Sequence, residues 1–287
     1  MENFIIKYQV HQEVKGLAVS TIRGNRIRIQ IFLDELKERG IEIDRVDIET
    51  IRAIVRDRKW RSGTIATWLM VIKPFCTFLA QEGILTKNPL IDIKMKQEKQ
   101  GRLYFLTDEE MKKVLDVSRL LPLAGQLVIH LLADTGARNH EILGIETKNI
   151  NLDKRSIYLE KVKGGEPRYV FFSEETRELM KAHLPSVANG HLFKGNQAWV
   201  CKMVRQSVGI AFPNNPEKMN ITPHSLRHSF VTSWVRNNGN IRILRNIIGW
   251  RSLKMLDRYE HLNEDALKNG YQEYQDNRGA VAALGAK

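Results

Sequence analysis

The stretch Thr222-Pro-His-Ser-Leu-Arg-His228 brings two histidines and an arginine into one short segment. Thr222 is a good helix N-cap residue and Pro223 suits the first helical position, so the segment predicts the start of a helix. His224 and Arg227 are three residues apart and therefore share a face near the N-terminus of that helix. Free N–H groups and the positive end of the helix dipole attract phosphate there. The pair is a candidate clamp for one phosphate group.

Two other interpretations of this segment stay open. His224 and His228 are four residues apart and could share a zinc ion. Against this, Arg227 would repel a metal, and no nearby Cys, Asp or Glu completes a ligand set. The segment could also be an ordinary polar helix start with a buried histidine.

A second cation lies far upstream, where Arg138 follows a turn at Asp134-Thr-Gly136. This turn separates a buried helical pattern from a second helix, expected to begin at Ala137. A planar guanidinium can hold two phosphate oxygens at once and never loses its charge. Glu141, on the same helical face, could orient an arginine or histidine, or form an ordinary surface pair with Arg138.

Between these motifs the sequence changes character. Ile157–Leu159 and Arg168–Phe172 are rich in β-branched and aromatic residues, which predicts a β-hairpin or small antiparallel sheet. Lys163 precedes two glycines at the tip of this hairpin, where it is either a solvated lysine or a general acid for a leaving 5′-oxygen.

Further on, Tyr259 is one of seven tyrosines, and a phenol is a poor nucleophile unless cations surround it.

Composition indicates a polyanionic partner. The 287 residues carry a formal net charge of +12, and the isoelectric point is about 9.7. Such an excess favours nucleic acid, which binds cationic surfaces through its phosphates.

Cys76 lies in an apolar helical stretch, far from Cys201, so a reduced, cytoplasmic protein is expected. No uninterrupted apolar run approaches the ~18 residues of a membrane helix, and no membrane partner is expected.

The first part of the chain, residues 1–90, predicts a helical domain with helices over 19–39, 47–59 and 62–82. The first of these helices is expected to start at Ser20 and Thr21 and to end at Gly40. Its expected apolar face comprises Ile27, Ile29, Ile31, Phe32 and Leu36. In the third helix, Pro74 should cause a kink or mark a join.

A charged segment, residues 91–103, reads as a linker to a second domain, residues 104–287. That domain opens with Thr107 and Glu110, the two ends of a capping box. The expected architecture is therefore two domains, mainly α with a small antiparallel β-sheet.

These motifs, in this order, resemble the tyrosine recombinase, or phage integrase, family. The resemblance covers about residues 104–275, and the first half is similar to the family's core-binding domain in helical layout. The matching stretches are Thr135-Gly-Ala-Arg138-Asn-His-Glu141-Ile-Leu, Val162-Lys163-Gly-Gly-Glu-Pro-Arg168, His224-Ser-Leu-Arg227-His228 and Ile248-Gly249-Trp250-Arg-Ser-Leu-Lys-Met-Leu-Asp-Arg-Tyr259.

The resemblance implies a role for each residue. Arg138 and Arg227 would hold the scissile phosphate, and His224 would assist proton transfer and bind a phosphate oxygen. Lys163 would be the general acid for the leaving 5′-hydroxyl. Tyr259 would attack phosphorus, giving a 3′-phosphotyrosyl link and a free 5′-OH.

Three further residues have supporting roles in this comparison. Glu141 would support the first arginine, and His228 would be a structural partner. Trp250 stands where the family commonly has histidine, nine residues before the tyrosine, since 259 − 250 = 9. An indole N–H can donate to phosphate but cannot move a proton, so Trp250 is expected to bind phosphate or to pack.

The resemblance also implies partners. These are double-stranded DNA with a specific recombination site, enclosed by a clamp of the two domains, a homotetramer on that DNA, and accessory proteins. No metal, cofactor or ATP is required. The process would be integration and excision of a mobile element or Xer-like dimer resolution, with a C-terminal tail that contacts a neighbouring subunit or its own domain.

Two other functions share the fold. One is a DNA-binding protein without catalysis, for which loss of the tyrosine or of an arginine would be expected. The other is a topoisomerase of type IB that relaxes supercoils as a monomer.

Overall fold

The computed structural model describes residues 2–93, 103–160, 166–188 and 190–250. The chain forms two compact units, Met1–Gly101 and Arg102–Lys287. The predicted mainly α fold with a small antiparallel sheet is confirmed. Lys163 and Tyr259 lie outside the described residues, as does the C-terminal tail.

The first unit is helical throughout its described part. Its core combines aliphatic and aromatic side chains. Phe32 lies edge-on to Trp68 at 5.9 Å and to Phe75 at 6.5 Å between ring centroids. The third predicted helix runs without interruption through Pro74. The α-helices are α1 (Glu2–Val14), α2 (Val19–Glu38), α3 (Ile48–Arg58) and α4 (Ser62–Gln81), and a 3₁₀ turn covers Ile43–Arg45.

Two expectations for α2 were wrong. The helix begins at Val19 with Ala18 as N-cap, so Ser20 and Thr21 lie inside its first turn instead of capping it. Ile27 is exposed, because it lies about 200° around the helix from Ile29 and so faces away from the buried side. The buried residues of α2 are Ile22, Ile29, Phe32, Leu33, Glu35 and Leu36.

One helix, α4, is long and apolar enough to cross a membrane by length and composition alone. A buried core helix passes the same test, and α4 supplies Trp68, Ile72 and Phe75 to the core of the first unit. Among the residues that the structure describes, α4 is the helix with this length and composition.

The second unit surrounds one central helix. This helix, α6 (Leu123–Thr135), is apolar on nearly every side and packs against both the surrounding helices and a strand of the sheet. The elements of this unit are α5 (Asp108–Ser118), α6 (Leu123–Thr135), α7 (Asn139–Leu143), β1 (Ile150–Asn151), β2 (Ser156–Leu159), β3 (Arg168–Phe171), α8 (Glu174–His183), α9 (Gln197–Ala211), α10 (Pro223–Arg236) and α11 (Ile241–Ile248).

The three strands form one antiparallel sheet in the order β1-β2-β3. In the β2–β3 pair Ser156 lies opposite Phe171, and Leu159 lies opposite Arg168. Side chains alternate along β3, so Arg168 and Val170 face inward while Tyr169 and Phe171 face outward. An arginine therefore occupies an inward position at the end of the hairpin next to the loop that joins β2 to β3.

The starts of two helices in this unit are confirmed as the sequence predicts them. Thr107 and Glu110 form a reciprocal capping box on α5, and Thr222 caps α10 with Pro223 in the first position. The helix expected from Ala137 begins two residues later, because Arg138 still has extended backbone at the N-cap.

Gly136 is predicted to be intolerant of any side chain. It has φ of +57°, and an added Cβ would lie 2.6 Å from Phe230 Cδ1 and 2.7 Å from Ile248 Cδ1. We expect Gly136→Ala to lower the free energy of unfolding by ~2–4 kcal/mol, since left-handed strain and overpacking add. Urea denaturation measures this loss.

Gly190 supplies the matched control within the same unit. Its φ is +72°, but nothing lies within 4 Å of an added Cβ. Gly190→Ala should therefore lower the free energy of unfolding by ~1 kcal/mol, through the strain of the left-handed backbone alone. Equal losses for the two variants would show that the contact with Phe230 and Ile248 is unimportant.

Candidate active site

Arg138 is held at the junction between α6 and α7. Gly136 ends α6 in the left-handed conformation, and the chain then turns so that Arg138 is the N-cap residue of α7. The arginine side chain is 31% exposed, and its Nη1 donates to Glu141 Oε1 at 3.1 Å. Its guanidinium is thus fixed at one edge and open to solvent at the other.

Glu141 is the centre of a buried network. Its side chain is fully buried. Oε2 accepts from the backbone N of Arg138 at 2.8 Å, and both carboxylate oxygens accept from Arg168, at 3.2 and 2.7 Å. Burial raises the pKa of Glu141, but the hydrogen bonds and charges of Arg168 and Arg138 outweigh it and hold that pKa below its ordinary value. The carboxyl is therefore a stable anion between two cations.

Arg168 is the member of this network to which sequence reasoning did not assign a role. Besides its two bonds to Glu141, its Nε donates to the carbonyl of Ile247 at 2.6 Å. The sequence did contain a signal for its burial, because side chains alternate along a strand and Arg168 therefore shares a face with the apolar Val170. A cation on a buried face needs a carboxylate, and Glu141 is the one that the fold provides.

Arg227 joins three motifs that are far apart in sequence. It is only 4% exposed. Its Nη1 donates to the carbonyl of Gly136 at 2.7 Å, and its Nη2 donates to the carbonyl of Ile248 at 3.0 Å. The start of α10 is therefore fixed both to the turn before Arg138 and to the end of α11.

The C-terminus of α11 receives both buried arginines. Ile247 and Ile248 present carbonyls that lack partners within the helix, and Arg168 and Arg227 supply donors to them. Cations are favourable at this negative end of the helix dipole. Gly249 then turns left-handed, and its N–H bonds to Arg245 O.

The two histidines of the opening motif pack against each other. His224 is exposed and His228 is half-buried, with ring centroids 4.5 Å apart in an edge-to-face arrangement. Within the described part of the chain, no group of three His, Cys, Asp or Glu is placed to hold a metal ion. The zinc interpretation thus gains no third ligand there.

Trp250 is buried. It is 8% exposed and packs with Val231, Val235, Leu244 and Ile248. Its backbone carbonyl accepts from Arg245 Nε at 3.2 Å. Of the two expected roles, packing is the one that this environment supports.

A polar cleft of about 520 Å³ opens between β3 and α11. Its lining residues are Glu166, Pro167, Arg168, Arg245, Asn246, Gly249 and Trp250. The cleft lies where the chain enters β3 and where it leaves α11.

The structure thus links Arg138 to the end of α11 through Glu141 and Arg168. Arg227 bonds to that helix end directly, and Trp250 packs beside it. His224 lies one helical turn before Arg227 on α10. The positions predicted for the general acid and the nucleophile, Lys163 and Tyr259, lie outside the described residues, so the complete catalytic set remains a prediction.

Comparison with known proteins agrees with this arrangement. The phage integrase family pattern matches residues 104–266. Tyrosine recombinase XerA of Saccharolobus solfataricus is 27% identical over 221 residues, which are 76% of this chain and 69% of the relative. Tyrosine recombinase XerC of Lactobacillus delbrueckii subsp. bulgaricus is 27% identical over 248 residues, 81% of this chain and 83% of the relative.

A similar fold is found in the Tn1549 transposon integrase, solved in complex with a circular intermediate DNA. The TM-score is 0.74 at 18% identity, over 95% of this chain and 98% of that one. Because the family pattern spans more than half of the 287 residues, the chain belongs to the phage integrase family of tyrosine recombinases, enzymes that cleave and rejoin DNA strands.

Proposed function

We propose that this protein is a site-specific DNA recombinase that works through a 3′-phosphotyrosyl intermediate, without metal or ATP. The observation that carries the proposal is the pair of bonds from Arg227 to the carbonyls of Gly136 and Ile248. They hold three of the sequence motifs in one place, as a shared reaction centre requires.

The cations of this centre suit phosphoryl transfer. Negative charge develops on the phosphorus oxygens in the transition state, and fixed donors stabilise it without reorganising. Arg138 has a partly exposed guanidinium, and His224 lies exposed at the start of α10. Arg138, Arg227 and His224 are therefore proposed to bind the scissile phosphate.

The proposed reaction is a reversible exchange of esters. Tyr259 Oη attacks phosphorus as His224 accepts the phenolic proton, and the bond from phosphorus to the 5′-oxygen breaks. Lys163 supplies the proton that the leaving 5′-oxygen needs. The phosphotyrosine ester keeps the energy of the broken bond, so a 5′-OH from another strand can reseal the DNA without ATP.

The proposed partner is double-stranded DNA carrying a specific recombination site. The net charge of +12 favours it, and the Tn1549 integrase of similar fold was solved with DNA. We propose a core-binding domain at residues 1–90, a linker at 91–103 and a catalytic domain at 104–287, which together clamp the duplex. A homotetramer on DNA, accessory proteins and a cytoplasmic location complete the proposal.

Two biological settings fit this chemistry, Xer-like dimer resolution and integration of a small mobile element. The XerA and XerC relatives favour the first, and the Tn1549 integrase favours the second. Recombination between two sites on different molecules would distinguish both from a relaxing topoisomerase, which rejoins the original strands.

Tyr259→Phe is expected to abolish strand cleavage and to leave DNA binding unchanged, because only the nucleophilic oxygen is lost. Adduct formation should fall by more than ~10³-fold. The substrate is a labelled, nicked duplex chosen by binding selection from a random library, and the adduct is counted on a denaturing gel. Tyr169→Phe is the control, since Tyr169 lies 59% exposed on β3. Covalent adduct from the Tyr259 variant would contradict the assignment.

Adduct formation should continue in excess EDTA. Arginine and histidine donors, not a divalent cation, are proposed to neutralise the phosphate oxygens. The same labelled duplex serves, with and without EDTA and added Mg²⁺. A strict requirement for the metal would count against the mechanism.

Glu141→Gln tests the buried carboxylate. The folded-state pKa of Glu141 is lowered from its ordinary 4.5. The stability that the ionised Glu141 contributes to the folded protein is therefore fully present above pH 4.5. It is lost as the pH falls through the folded-state pKa. At pH 7 the variant should be ~3–5 kcal/mol less stable, because Arg168 loses its buried counter-charge. The deficit should shrink in acid.

Urea unfolding from pH 3 to pH 7 measures this difference. Glu178→Gln is the control, because Glu178 is 59% exposed and pairs with Lys181 on the surface of α8. It should change the free energy of unfolding far less than Glu141→Gln does, because an exposed ion pair is screened by solvent. A Glu141 deficit that stays constant over the whole pH range would show that ionisation plays no part.

A further inference from the structure

Arg168 connects Glu141 on α7, the partner of Arg138, with the C-terminal end of α11. We propose that it is a positioning residue, which aligns Arg138 through Glu141 and aligns the chain that leads to Tyr259 through Ile247. This inference rests on the proposed recombinase function and adds a residue to its machinery.

The first argument is the shape of the contact. Three nitrogens of one planar guanidinium bind two elements, both carboxylate oxygens of Glu141 on α7 and the carbonyl of Ile247 on α11. The group is rigid, so its three donors cannot turn independently. A shift at either partner is therefore passed to the other.

The second argument is that two arginines share one carboxylate oxygen. Glu141 Oε1 lies 3.1 Å from Arg138 Nη1 and 3.2 Å from Arg168 Nη1. The position of this oxygen sets the direction of the Arg138 guanidinium, and Arg168 sets the position of the oxygen. Without Arg168, the carboxylate could rotate towards Arg138 alone.

The third argument is the close packing beside α11. A Cβ on Gly249 would lie 3.0 Å from Arg168 Cζ, so the guanidinium lies directly against the turn that ends the helix. From this turn the chain continues to Trp250 and, nine residues later (259 − 250), to Tyr259. The arginine thus fixes the point from which the nucleophile's segment departs.

Burial separates this role from DNA binding. The Arg168 side chain is 6% exposed, and it donates hydrogen bonds to Glu141 and Ile247. Its loss should therefore slow the cleavage step and leave the affinity for DNA nearly unchanged. A misplacement of about 1 Å can cost ~10²-fold in rate even when the change lies away from the reacting atoms.

The experiment compares Arg168→Met and Arg168→Lys in the full chain by single-turnover adduct formation on the labelled, nicked duplex. We expect the maximal rate of Arg168→Met to fall ~10²-fold, with a half-saturating protein concentration within about threefold of the unsubstituted value. Lysine keeps the charge beside Glu141, so Arg168→Lys should regain most of the thermal stability. Its single ammonium cannot reproduce the fork, and its maximal rate should stay at least ~10-fold low.

Ser207→Ala controls for stability alone. Ser207 lies in the same unit and bonds to the carbonyl of Val114 at 2.7 Å, on α9 and away from the site. It should lower the melting temperature without changing the maximal rate at temperatures where the protein stays folded.

The outcomes are separable. If Arg168→Lys regains rate and stability together, or if either Arg168 variant loses only DNA affinity, the positioning role is refuted while the recombinase function stands. If the unsubstituted chain forms no adduct on any selected duplex, the recombinase function fails, and the positioning role fails with it.

Discussion

The ion pair between Glu141 and Arg168 is the interaction on which the candidate site of the second unit depends. Both side chains are almost completely buried, and either charge left alone there would cost several kcal/mol. The pair is tolerable because each member makes further bonds, Glu141 to Arg138 and Arg168 to Ile247. Its net contribution to stability is small by this reasoning, and its value lies in specifying one arrangement of α7, β3 and α11.

The end of α11 explains why two buried arginines occur so close together. A helix C-terminus carries partial negative charge and carbonyls without partners in the helix. Arg168 and Arg227 satisfy Ile247 and Ile248 in turn. The helix end therefore acts as a shared acceptor for cations from a strand and from α10.

Local patterns in the sequence predicted most of the fold. Capping residues such as Thr107 and Thr222 act within one turn, so the sequence around them reveals the helix starts. The hairpin followed from β-branched and aromatic residues in the same way. Ser20 and Thr21 misled, because a capping residue is informative only where the helix begins, and here the N-cap is Ala18, two residues before Ser20.

The site was harder to predict because its contacts join distant parts of the chain. Arg138 and Arg227 were recognisable from their motifs. The bond from Arg227 to the carbonyl of Gly136, close to Arg138 in the chain, joins residues 91 positions apart and leaves no local signature. Arg168 was read only as a strand residue for the same reason. Trp250 was left between two roles, and only the packing around it in three dimensions favours one.

The pairing of Leu159 with Arg168 has a consequence for the hairpin. Successive residues of a strand face opposite sides, so a slip of one position between β2 and β3 would exchange the faces of Arg168 and Tyr169. The guanidinium would point to solvent and an aromatic ring would face Glu141. The four residues of β3 thus determine whether Glu141 faces a cation. The loop between β2 and β3 can change in length only in ways that keep this register.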